Sequence, residues 1–304
     1  MRYERFGTVL LAINLALATS PAMAAFFEYE GVCEASAAAK LDDDHFVVAS
    51  DETETLTIYK RNEKSPVSTL ALPDVTDIEA AARIGDTIFW LTSHSLNKEG
   101  EDKTKRKLLL ATQIDPDGHT LRLVGEYRDL RAKIAEALGT DEATLKPNLN
   151  IEGLAATPGG DLLVGLRGPL TGENKAQVIR LKNPLTPGTV PAAAATSTGE
   201  EIPPVSELSL DGLGIRSLEK IGTGEHAYLI VAGSVADGGP QPKLYWWDGK
   251  HVPQPHTTVD LHGMVPEALF AWNEDEFQVL GDNGDACSDE SDNRRWFPSL
   301  DVKP

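Results

Sequence analysis

The chain has 304 residues, 41% hydrophobic and 25% charged, with 28 basic against 47 acidic side chains and a net charge of −19. Nucleic-acid binders carry a basic footprint, and an acid excess of this size repels phosphate backbones and anionic lipid surfaces alike, so the sign of the charge excludes both. The length suits one large domain or two smaller ones, and single all-β domains of about 200–250 residues are routine.

The first segment stands apart. Met1-Arg2-Tyr3-Glu4-Arg5 is slightly basic, Phe6–Ala18 is an apolar run, and Pro21-Ala22-Met23-Ala24 ends in a small-x-small pattern. The run falls short of the ~20 residues that a spanning helix needs. Residues 1–24 therefore read as a secretory signal peptide, with an uncleaved anchor as the alternative. Residues 25–304 are expected to form one exported domain, periplasmic or extracellular and free of the membrane after cleavage. Without Arg2, Arg5 and Glu4 the balance is 26 basic against 46 acidic residues, or −20. An acidic surface of this kind favours solubility, and leaves cations or basic partners open.

Five segments then share one layout: a charged residue, a small-apolar run, a polar turn, a second apolar run and a polar end. They run from Cys33-Glu34 to Asp51-Glu52, from Ile78-Glu79 to Ser93-His94, from Asn150-Ile151-Glu152 to Arg167, from Ile215-Arg216 to Gly233, and from Pro266-Glu267 to Asp282. In the third, Thr157-Pro158-Gly159-Gly160-Asp161 separates the two runs, and Gly pairs between apolar runs signal a hairpin. Glu79 to His94, Glu152 to Arg167 and Glu267 to Asp282 are each fifteen residues apart, while Glu34 to Asp51 and Arg216 to Gly233 are seventeen apart. The even difference predicts hairpins of two lengths in one register, because a one-residue slip turns every side chain to the other face.

Strand-like runs follow the hairpins at Leu56–Tyr59, Leu108–Ile114, Ala176–Leu181 and Lys243–Trp247. Three or four strands, repeated five times, predict an all-β fold, a β-propeller of five blades with six the alternative count. A β-sandwich or ordinary barrel is the competing architecture. Long gaps between repeats need insertions. Tyr127–Leu138 reads as a helix with Leu130, Ile134, Ala137 and Leu138 on one stripe and Gly139 as its stop, a helical insertion near 127–139. Pro184–Pro204 reads as a flexible insertion, and Asn97–Arg106 as a charged connecting loop. Asp42-Asp43-Asp44 reads as a solvated turn, and Trp246-Trp247 as blade packing.

An exported chain with two cysteines permits a disulfide. Cys33 opens the first repeat and Cys287 follows the last hairpin, so a Cys33–Cys287 bond would lock the ring at its seam; two buried free thiols are the alternative.

Hairpin ends share an edge, so the repeats are expected to gather their charged residues round one mouth of the channel. That ring holds Glu34, Asp51, Glu52, Glu79, His94, Glu152, Arg167, Arg216, Glu267 and Asp282, with Glu219 as a further candidate. Converging carboxylates repel unless a cation or Arg intervenes. An oxygen-rich set suits Ca²⁺, with Glu79, Glu152, Glu267 and Asp282 as its candidate ligands. His94 among carboxylates suits a transition metal less well. Arg167 and Arg216 offer bidentate donors to an anionic substrate, with a Glu or His as general base. The same carboxylates could instead accept neighbouring N–H groups and only pin the blades. Asp282-Asn283-Gly284-Asp285 with Asp289 and Asp292 is acidic enough for Ca²⁺ but lacks EF-hand spacing.

The stretches Ser36–Tyr59, Asp77–Thr112, Asn150–Pro184, Gly212–Glu219 (GLGIRSLE), Tyr228–Gly249 and Val265–Asn283 together resemble the bacterial domain-of-unknown-function 3616 family. The resemblance implies a propeller and carries no activity with it. The functional expectations are a small-ligand or cation-binding propeller, a metal-assisted hydrolase of phosphate esters (phytase-like) or lactones, or a scaffold for a protein partner.

Overall fold

The computed structural model describes residues 26–182, 204–236, 238–257, 259, 261, 263–283 and 295–302. The expected signal segment, nearly all of the 184–204 insertion, Asp285, Asp289, Asp292 and Cys287 lie outside the described residues. Among the described residues twenty strands form five four-stranded antiparallel sheets. The first blade is β2 (Ala37–Lys40), β3 (His45–Ala49), β4 (Thr55–Lys60) and β5 (Ser68–Ala71). The second is β6 (Ile78–Ile84), β7 (Thr87–Thr92), β8 (Leu109–Ile114) and β9 (Leu121–Tyr127). The third is β10 (Asn150–Ala156), β11 (Leu162–Gly168), β12 (Ala176–Leu181) and β13 (Val205–Leu208). The fourth is β14 (Gly214–Lys220), β15 (Tyr228–Gly233), β16 (Lys243–Trp247) and β17 (Gln254–Pro255). The fifth combines β18 (Val265–Asn273), β19 (Glu276–Asp282) and β20 (Trp296–Val302) with β1 (Phe27–Glu30) from the other end of the described chain.

That last sheet closes the ring. β1 pairs with β20 through Tyr29↔Phe297 and its neighbours, so the two ends of the chain hold one blade together. Arg61 of the first blade reinforces the seam, with Nη2 2.6 Å from Glu276 and 2.8 Å from Asp301, and its guanidinium over the Trp272 ring. Glu276 is largely shielded from water whereas Asp301 is exposed, so the Glu276 arm joins the blades more firmly than a surface pair would.

The core consists of five layers, one between each pair of neighbouring blades. Ile88 and Trp90 of β7 pack toward the first blade with Val47 and Leu56, whereas Phe89 and Leu91 pack toward the third with Leu154 and Val164. A middle strand is thus covered on both faces, which is why β7 reads as an unbroken apolar run rather than an alternating one. Tyr29, Phe46, Tyr59, Phe270 and Phe297 fill the layer between the fifth and first blades.

The insertion before the third blade is helical, as expected: α1 (Leu130–Ala137) and a short α2 (Glu142–Leu145), with Gly139 in the left-handed region at φ 66° just past the first helix. Leu130 and Ile134 are buried against the second and third blades. Ala137 is exposed, and Arg131 is buried in its stead because its guanidinium binds both oxygens of Asp102 and the carbonyl of His94.

Candidate functional site

The charged ring begins with a backbone irregularity. In β6, β10, β14 and β18 the register shifts by one residue between Ile78 and Ala80, Ile151 and Gly153, Ile215 and Ser217, and Pro266 and Ala268. The extra residue is Glu79, Glu152, Arg216 or Glu267, so each β-bulge falls on a ring residue. A bulge unpairs one residue and re-aims its side chain. This corrects the expectation of unbroken register in hairpins of two lengths: the strands lose one step at the marked residue. The first blade has no such bulge among the described residues; Glu34 instead bridges Asp282 of the fifth blade, and the amide of Asn283 donates to the carbonyl of Cys33 at 3.2 Å.

One half of the ring is a chain of alternating charge. Glu152, 4% exposed, accepts from Arg167 Nη1 at 2.8 Å and Asn150 Nδ2 at 2.9 Å, and its other oxygen faces Arg216 Nε at 3.5 Å. Arg216 continues to Glu267, and Arg167 Nε donates to the carbonyl of Ser234 at 2.9 Å. Gly233 makes this possible: a Cβ there would lie 2.4 Å from Arg216 Cδ, so only glycine lets the arginine cross β15. Gly153 and Gly165 serve a neighbouring need, since a Cβ on either would meet Ile215 Cγ2 at 2.7 Å. Burial drives the Glu267 carboxyl up to about 8 against the pull of Arg216.

The other half is short of cations. One oxygen each of Asp51, Asp77 and Glu79 lies within 4.8 Å of the others. Asp77 is anchored by the Ser93 hydroxyl and by Arg106 Nη2 at 2.5 Å. Arg106 also donates to Ser95 Oγ at 2.7 Å. Glu79 has no hydrogen bond or ion pair among the described residues. Loss of solvation raises its carboxyl well above the usual range, and repulsion from Glu152, Asp77, Asp51 and Glu267 adds to this. Glu34 is pushed up to about 8 by burial, by its hydrogen bond and repulsion with Asp51, and by the charges of Asp282 and Glu52. The backbone holds the cluster in place: Asp77 N–H donates to the Asp51 carbonyl, Ser93 N–H to the Asp77 carbonyl, and Ile151 N–H to the Ser93 carbonyl. Three blades are stitched by that sequence of bonds, and Asp77 and His94 both sit at positive φ.

The predicted residues thus divide. Glu34, Asp51, Glu79, Glu152, Arg167, Arg216, Glu267 and Asp282 gather at the same mouth, whereas Glu52 is exposed at the rim, 3.5 Å from Arg295. His94 does not join the carboxylates. Its ring is fully buried with neither nitrogen hydrogen-bonded, and burial together with the charges of Arg131 and Lys107 lowers its pKa to about 3. The bulge at Glu79 is the reason, because its one-step shift places Ser93, rather than His94, across from Asp77. Of the four candidate metal ligands, Glu79 falls in the three-carboxylate cluster, Glu152 and Glu267 are held by arginines, and Asp282 bridges Glu34. Asp77, Ser93, Arg106 and Asn150 were missed. Asp77 was within reach, standing two residues before Glu79 at the strand entrance; Arg106 arrives from the Asn97–Arg106 loop, and no local pattern announces that. Glu219 accepts an N–H from Ala271 deep between the fourth and fifth blades, where burial pushes it up to about 8.

Fold and site together define a five-bladed β-propeller with a charged ring at one mouth of its channel. Residues 141–271 match the family described as "Protein of unknown function (DUF3616)", the family that the sequence resembles. No curated protein matches the chain. Among solved structures it is similar to Myxococcus xanthus glutaminyl cyclase, at 13% identity and a TM-score of 0.49, over 91% of this chain and 95% of that one. It is also similar to the PQQ-bound form of aldose sugar dehydrogenase from Streptomyces coelicolor, at 13% identity and a TM-score of 0.47, over 93% of this chain and 99% of that one. Neither likeness bears on the chemistry of the ring.

Proposed function

We propose that this protein is an exported cation-binding propeller whose ring holds one Ca²⁺ between Asp51, Asp77 and Glu79. The observation that carries the reading is the convergence of three carboxylates on one point, with Glu79 lacking any donor or cation of its own. Ca²⁺ takes six to eight oxygens at flexible geometry, so three carboxylates leave room for water or a ligand to complete its shell. Arg106 offsets part of the charge at Asp77 and leaves Asp51 and Glu79 to the metal. The slightly basic start, the apolar run Phe6–Ala18 and the small-x-small end of residues 1–24 support export.

Calorimetric titration of metal-free protein with Ca²⁺ tests the reading. One equivalent is expected in the parent chain, with binding lost in Asp51→Asn and Glu79→Gln while both variants stay folded. Equal binding in parent and variants would remove the ring from consideration. The neighbouring Arg167 and Arg216 favour a second reading, metal-assisted hydrolysis of an anionic ester. It requires Ca²⁺-dependent turnover of phosphate esters or lactones that Glu79→Gln abolishes.

A further inference from the structure

We propose that Asp42, His45 and His119 form a separate transition-metal site, of the Zn²⁺ kind, on the opposite face of the propeller. β2 and β8 both run away from the ring, so the turns that follow them, at 41–44 and 115–120, lie at the far mouth of the blades. There one ligand atom from each of the three residues lies within 4.8 Å of the other two. The imidazoles of His45 and His119 come from different blades and stack with centroids 5.0 Å apart.

The ligands are held before any metal arrives. Asp42 Oδ1 accepts the N–H groups of Asp44 at 2.8 Å and His45 at 2.7 Å, and His45 Nδ1 lies 3.0 Å from both carboxylate oxygens. The second turn is fixed in the same manner, with Asp117 Oδ1 accepting from His119 N–H at 3.0 Å and Thr120 N–H at 2.8 Å. Gly118, at φ 85°, brings that turn so near that a Cβ would lie 3.4 Å from Asp42 Oδ2. Arg83 ties the first turn to the second blade through the carbonyls of Lys40 and Leu41, at 2.9 and 2.6 Å. The ring nitrogens of His119 have no hydrogen-bond partner among the described residues, so its lone pair is available.

Two imidazoles and one carboxylate select a borderline-soft divalent ion over Ca²⁺, which prefers oxygen throughout. Three protein ligands leave a fourth position for water or a substrate atom, as in open zinc sites. The metal would also cross-link the first and second blades at their exposed ends.

The test is Zn²⁺ alone, titrated against a chromophoric chelator into tag-free mature protein, with Co²⁺ absorption as a report of imidazole ligation. The parent chain is expected to take up one Zn²⁺, to retain it in the Asp51→Asn/Glu79→Gln double variant, and to melt higher with it. His119→Gln should weaken binding at least about tenfold and lose the stabilisation. His45→Gln is the second variant if His119→Gln does not fold. Absence of Zn²⁺ uptake by the parent chain, or parent-like uptake by a folded His variant, would overturn the proposal.

Discussion

Glu152→Gln separates the structural half of the ring from its metal-binding half. The carboxylate is 4% exposed and serves Arg167, Asn150 and Arg216 at once. Glutamine keeps the volume and one acceptor oxygen but removes the charge that two part-buried guanidinium groups face. Removing one partner of a buried ion pair costs about 3–5 kcal/mol. Arg216 retains Glu267 and Arg167 retains the Ser234 carbonyl, which places the loss near the lower end, about 3 kcal/mol. For a domain above about 150 residues each kcal/mol moves Tm by roughly 2–4 °C, so a fall of roughly 6–12 °C is expected. Scanning calorimetry on metal-free protein reads this directly. Ca²⁺ binding should persist in the variant, because Glu152 belongs to the arginine chain and not to the three-carboxylate cluster. A Tm within about 1 °C of the parent, on a scale where roughly 2–4 °C is 1 kcal/mol, would refute the reasoning. So would loss of Ca²⁺ binding in a folded variant.

Further consequences are measurable. Glu34, Glu219 and Glu267 have folded-state pKa values pushed up to about 8, above the ordinary carboxylate value they regain on unfolding. The folded chain therefore binds more protons between about pH 4.5 and 8, and linkage makes stability fall as pH rises through that window. Metal-free protein should thus melt lower at pH 8 than at pH 5, and Ca²⁺ should flatten the slope by favouring the ionised ring; a Tm that rises with pH without metal would contradict the assignment. Gly233→Ala should displace Arg216 from Glu267 and cost about 1–3 kcal/mol, whereas the exposed Gly100→Ala, with no neighbour within 4 Å but φ 77°, should show only the smaller backbone penalty. Non-reducing mass spectrometry should recover a single Cys33–Cys287 peptide pair, as expected from Cys33 lying against Asn283 at the seam; two free thiols would exclude the bond.

The architecture was legible because the inner hairpins are local and strongly patterned. Repeat starts at Cys33, Ile78, Ile151, Ile215 and Pro266 each fall within four residues of an inner strand's first residue, and all four proposed third strands exist. The outer strands were not legible: β5 is mostly exposed and β17 is two residues long, so neither carries an apolar signal. The completion of the fifth blade by Phe27–Glu30 is a pairing between remote parts of the chain. At the ring, the marked residues were readable as positions but not as pairs. A bulge leaves no reliable trace in a two-residue alternation, and its one-step shift exchanged His94 for Ser93 and brought Asp77 to the centre. Arg106 entered from a loop whose run of charge concealed one functional guanidinium among several solvated ones.

The most direct test of the central claim is a crystal of the protein grown with Ca²⁺ and measured at long wavelength. The account predicts an anomalous peak bounded by Asp51, Asp77 and Glu79, at roughly 2.3–2.6 Å from their oxygens. Saturating Ca²⁺ with no peak there, and with Glu79 turned away from Asp51 and Asp77, would contradict it.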